Sequence, residues 1–154
     1  MELERRIARL EAIEAIRQLK TVYAEACDDG YDPVKMFPLF CESAVWEAPG
    51  AFGRFDGREA ICEFFGGVSA PISWALHYTD APLIEVADDL VSATADWYIF
   101  MPATIDNAPI WLMATYSDRY RVEDGVWKFA HVSVDIQRLT PFADGWVKTP
   151  HIGA

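Results

Sequence analysis

Two side chains in this 154-residue chain have the types needed for acid–base chemistry as a pair. Asp28 ends a helical segment whose last turn contains Ala24, Ala26 and Cys27, all small and apolar, so its carboxylate is expected to point inward. The dipole at a helix C-terminus is negative, so an inward acid there needs a cation or several hydrogen-bond donors. His77 lies in the run WALHYTDAPLIEV, among Trp74, Leu76 and Tyr78. Alone, it reads as a satisfied core histidine. Beside an inward acid it becomes the base of a dyad. The acid selects the imidazole tautomer and stabilises imidazolium, and the other ring nitrogen takes a proton. Asp28 and His77 are therefore the first candidate catalytic residues.

Tyr23 is the third. A phenol at that position can polarise a carbonyl or stabilise an oxyanion. It also reads as a core tyrosine finishing an apolar stripe. Five helical steps separate it from Asp28, so the two side chains diverge by about 140° in a regular helix. A shared cavity then requires the helix to fray near Cys27 and Asp28. In the last strand pattern, WKFAHVSVDIQRL, His131 and Ser133 share one parity with Trp127, Phe129 and Asp135. Val132, Val134 and Ile136 share the other, which periodicity favours as buried. If both faces are covered, His131 and Ser133 line the polar end of a pocket and become candidate substrate-binding residues. His151 lies in the C-terminal tail and carries no expectation. No HxH, HExxH or HxxxH spacing occurs, so no metal site is expected. The absence of GxSxG, GxxxxGK[ST] and GxGxxG argues against a nucleophile elbow or a nucleotide cofactor.

These residues need elements to hold them. Leu3, Ile7, Leu10, Ile13, Ile16, Leu19 and Tyr23 advance by three or four, which predicts an amphipathic helix ending near Asp28, with Gly30 at the left-handed position beyond it. Asp32 as N-cap and Pro33 at the first helical position predict a short helix to Phe40. AVWEAPG reads as a strand. A third helix is expected from Arg58 to about Phe65, stopped by Gly66-Gly67. Strands then follow over 72–86 (broken near Pro82), 90–101, 109–122 and 126–139, the last two joined by a Glu123-Asp124-Gly125 hairpin. Helices first and strands last predict one α+β domain over residues 1–154, with helices on one face of a curved antiparallel sheet and a pocket between the layers.

Composition agrees with a packed domain. The hydrophobic fraction is 52%, with six Trp, six Tyr and nine Phe. A net charge of −11 without a basic run argues against nucleic acid. No apolar stretch reaches the ~18 residues of a membrane span, and the charged N-terminus is neither signal nor anchor. Cys27, Cys41 and Cys62 form no CxxC pair and read as buried thiols of a reducing, cytoplasmic compartment. One face of the last strand is expected to remain as an apolar patch, and a homodimer or homotrimer to cover it.

The run AIxxLxxxYAEACDDG, then FDGREAI, LHYTDAPLI and RVEDGVWKF, in that order, resembles the SnoaL-like branch of the NTF2-like superfamily along the whole chain. The resemblance implies a cone-shaped α+β barrel and a cofactor-free Asp–His dyad at Asp28 and His77, with the helix-1 tyrosine of the family's dehydratases at Tyr23. It also implies a lyase of dehydratase type, or an isomerase, acting on a hydrophobic cyclic or aromatic small molecule. The alternative is a non-catalytic ligand-binding module, such as the small subunit of a ring-hydroxylating dioxygenase. Ser133 stands where the family's dehydrochlorinase has an arginine, which argues against halide elimination.

Overall fold

The computed structural model describes residues 2–152. Helix α1 (Leu3–Asp28) runs its expected length, and Gly30 follows at φ 79°. Its buried residues include Ala12, Ile16, Lys20, Tyr23 and Cys27, a stripe of spacing four, four, three and four. Leu3, Ile7 and Leu10 are exposed instead. Arg9 ties this end of the helix to the Val86 carbonyl and to Asp88. The second helix is shorter than expected. Asp32 caps α2 (Pro33–Met36), a 3-10 turn covers Phe37–Leu39, and Phe40 already begins a strand.

Strand β1 (Phe40–Ala48) pairs with β2 (Gly53–Asp56), a short strand that the sequence did not suggest. Helix α3 (Arg58–Val68) starts from Gly57 at φ 93° and runs through Gly66-Gly67. Phe65 and Val68 are both buried, and that packing outweighs the weak helix propensity of the two glycines. The expected long strand is two, β3 (Ile72–Ala75) and β4 (Tyr78–Val86). The break falls at Leu76 and His77, and near Pro82 there is only a register shift, with Ala81 at φ 49°.

Strands β5 (Ser92–Ile105), β6 (Ala108–Glu123) and β7 (Val126–Pro141) are long and curl around the helices. The sheet order is β2-β1-β7-β6-β5-β3, with β4 also on β5. All pairings are antiparallel except β1 with β7, so the sheet is mixed. Asp124 and Gly125, both at positive φ, form the two-residue β6–β7 turn. A bulge at Ala130 reverses the parity of β7, so that Phe129 and Val132 both face inward and His131 and Ser133 face out. A row of outer aromatic residues lies on β4–β6 and just after β7, in Tyr78, Phe100, Trp111 and Phe142, rather than along β7 as expected. The fold is α+β, with the N-terminal helices packed on a curled mixed sheet, and its core lies inside that curl. No helix among the described residues is long and apolar enough to cross a membrane.

Candidate active site

The last two turns of α1 and the β3–β4 break meet at one end of the core. The Asp28 carboxylate oxygen Oδ1 lies 2.7 Å from His77 Nδ1 and accepts the His77 backbone N–H at 2.9 Å. The second bond explains the break: that N–H turns to Asp28 instead of the sheet. His77 is the more enclosed partner, its side chain 6% exposed against 25% for Asp28. With Nδ1 donating to the carboxylate, Nε2 is the ring nitrogen left to accept a proton. His77 also lines the internal cavity, whose walls include Tyr23, Tyr31, Trp46, Phe65 and Tyr116 and whose free volume is about 50 Å³.

Tyr23 lies on the same cavity without any fraying of α1, which stays helical through Asp28. The His77 segment comes to Asp28, so helix geometry need not bring the acid round to Tyr23. The Tyr23 hydroxyl accepts the Trp46 indole N–H at 3.0 Å, which leaves its own proton for another acceptor. Burial pushes the phenols of Tyr23, Tyr31 and Tyr116 above their ordinary value, so they remain hydrogen-bond donors at neutral pH. Burial likewise raises the Cys27 thiol, which excludes a thiolate nucleophile there.

His131 and Ser133 do not join this group. The Ala130 bulge turns both to the outer face of the sheet, away from the cavity lined by Val134 and Ile136. There His131 Nε2 bonds Glu47 Oε1 at 2.8 Å, and Arg54 bonds Glu47 and Asp56. The hydrogen bond from His131, with help from Arg54, holds the Glu47 carboxyl below its usual range. The expectation of a pocket end lined by His131 and Ser133 is corrected accordingly. Among the described residues, no three His, Cys, Asp or Glu side chains converge as metal ligands would.

Two features escaped sequence reasoning. Tyr31, just past Gly30, has φ 59°, a left-handed conformation unusual for a bulky residue. Its N–H bonds the Ala26 carbonyl at 3.1 Å and closes the helix, while its ring stacks on Phe65 and meets the His77 ring edge-on at 5.8 Å. Nothing in a turn sequence signals such a contact. The second is the pair Lys20–Asp118, fully buried at 2.7 Å, with Tyr120 also donating to Asp118 and the Lys20 ammonium 3.2 Å from the Tyr116 ring centre. The inward alternation of Tyr116, Asp118 and Tyr120 on β6 was the available signal for half of it.

The chain and its fold are similar to those of known proteins. A gamma-hexachlorocyclohexane dehydrochlorinase of Sphingobium indicum is 26% identical over 140 residues, covering 90% of this chain and 86% of that protein. The crystal structure of LinA superposes with a TM-score of 0.82 at 22% identity, covering 90% of this chain and 95% of that one. A scytalone dehydratase-like protein of Novosphingobium aromaticivorans superposes with a TM-score of 0.78 at 20% identity, covering 96% and 97% of the two chains. The model of the SnoaL-like domain matches residues 8–133. With that match over most of its length, and with relatives of dehydrochlorinase type, the chain belongs to the SnoaL-like domain family.

Proposed function

We propose that this protein is a cofactor-independent lyase of dehydratase type, or an isomerase using the same proton abstraction, acting on a hydrophobic cyclic or aromatic small molecule. The observation that carries this reading is the 2.7 Å contact between Asp28 and the Nδ1 of a histidine that lines an apolar cavity. In the proposed reaction, His77 Nε2 removes a proton from a carbon made acidic by an adjacent carbonyl or aromatic ring. Asp28 stabilises the imidazolium that forms. The Tyr23 hydroxyl, kept protonated by burial, turns its hydrogen bond to the carbonyl oxygen as negative charge develops there. The imidazolium then returns the proton, either to a departing hydroxyl, giving water and an alkene, or to another carbon, giving an isomer.

The test is exchange of the α-hydrogen for deuterium in a panel of neutral cyclic ketones and β-hydroxy ketones. This reads proton abstraction whatever group leaves. Positioned acid–base catalysis is worth about 10²–10⁴-fold, so His77→Ala should abolish enzymatic exchange and Asp28→Asn should reduce it severely. Exchange by His77→Ala within about threefold of wild type would end the dyad mechanism.

A further inference from the structure

The cavity beside His77 is too small for the substrate proposed above. Its free volume is about 50 Å³, whereas an apolar cavity that takes up benzene holds about 150 Å³. A second, wider groove of about 520 Å³ abuts it. Phe52 and Ile136 line both spaces and so form the partition between them. The outer groove is walled by the β1–β2 turn, Pro49 to Phe52, on one side and by Leu139 with the C-terminal His151 and Ile152 on the other. The C-terminal segment is held in place by two backbone bonds, Leu139 N–H to the Pro150 carbonyl and Ile152 N–H to the Leu139 carbonyl.

The partition is uneven in strength. Ile136 belongs to the long strand β7 and pairs with Ala114, beside a second bulge at Gln137. Phe52 sits at the end of a turn built on Gly50 at φ 77° and on two bonds from the Ala51 and Phe52 N–H groups to the Ala48 carbonyl. Its ring rests on Trp46 and Phe64 at centroid distances of 6.4 and 6.3 Å. Neither space is lined by an Asp, Glu, Lys or Arg side chain; His77 in the inner space and His151 in the outer one are the basic groups of a lining whose other side chains are mostly apolar.

We infer that the substrate site has two chambers, with Phe52 as the movable partition. The reacting ring enters the inner chamber against His77, and an uncharged apolar extension of the same molecule lies in the outer groove. This inference rests on the reading of the inner cavity as the substrate site, and it adds that the natural substrate is an elongated, largely apolar molecule.

Binding of two probes tests it without turnover: acetonaphthone, a neutral aryl ketone, and the same ketone carrying a hexyl tail, both followed by quenching of tryptophan fluorescence. The tail should tighten Kd by about tenfold or more in wild type, given the apolar area it buries. In Ala51→Trp, which fills the groove, the ratio of the two Kd values should fall towards one. In Phe52→Ala, the association rate of the tailless ketone should rise by about tenfold as the partition is removed. Binding of both ketones with equal affinity in wild type, or an unchanged association rate in Phe52→Ala, would overturn the two-chamber site and leave the dyad reading standing. Failure of either ketone to bind wild type would overturn the inner chamber as an aromatic site, and this inference with it.

Discussion

Four phenols, Tyr23, Tyr31, Tyr116 and Tyr120, have their ionisation pushed above the ordinary 10.0, in each case first by burial. A group whose folded pKa is raised contributes stability that is complete below its unfolded pKa and is lost as pH climbs beyond it. Lys20, lowered by burial, acts in the opposite sense, as one group against four. Burial raises the thiols of Cys27, Cys41 and Cys62 above 9.0 in the same sense as the phenols, so the protein should hold its stability to about pH 9 and lose it steeply above about pH 10. Urea unfolding at about pH 8 and pH 11 measures this, and the tyrosinate absorbance of these four buried phenols should appear only with unfolding. Tyr116→Phe should flatten the loss, and an equal loss in that variant would contradict the assignment. At the same scale, Asp28 and His77 were legible because their neighbours are apolar. Tyr31 was not, because its contact with His77 depends on a left-handed turn.

At the scale of elements, Lys20 and Asp118 join α1 to β6 through the middle of the core. Burial lowers the lysine and raises the aspartate, so each disfavours its own charge and tolerates it only beside the other. Removing one partner strands a buried charge, which typically costs about 3–5 kcal/mol, whereas replacing both by apolar side chains is often close to neutral. Lys20→Met should thus destabilise severely, and Lys20→Met with Asp118→Leu should recover most of the loss. Denaturant midpoints for the two single variants and the double give the coupling; additive losses would show that the pair acts as two independent residues. The helical stripe drawn from the sequence ran through Leu3, Ile7 and Leu10 and passed over Lys20, because a hydrophobic pattern counts a lysine as surface. The Ala130 bulge was equally hidden. It moved His131 and Ser133 to the outside while leaving the alternating pattern of β7 intact on the page.

At the scale of the whole molecule, the outer face of the sheet carries a row of aromatic rings. Tyr78 stacks on Phe100, Phe100 meets Trp111, and Trp111 stacks on Phe142. Tyr78 and Phe142 are 56% and 62% exposed, which is a contiguous apolar surface of the kind that marks an interface. A homodimer or homotrimer built on this row is the expected state, and with a net charge of −11 its association should strengthen as salt is added. Sedimentation at micromolar concentration measures it. Phe142→Asp should shift the population towards monomer with unchanged circular dichroism, and a monomeric wild type would refute the expectation.

Local chemistry determined much of this protein before any contact was known. Helix spacing to Asp28, the Asp32-Pro33 helix start, the Asp124-Gly125 turn and the β6 alternation each rest on one stretch of chain and its own propensities. They suffice for an α+β domain and for naming Asp28, His77 and Tyr23 as candidates. What tertiary structure alone decided were the relations between stretches far apart in sequence. These include the 49-residue separation closed by Asp28 and His77, the parallel pairing of β1 with β7, the bulge that sets which face His131 occupies, and Phe52 between two cavities. Each of these depends on which surfaces pack against each other, and a side-chain pattern of period two or 3.6 reports which face is apolar but not what will cover it.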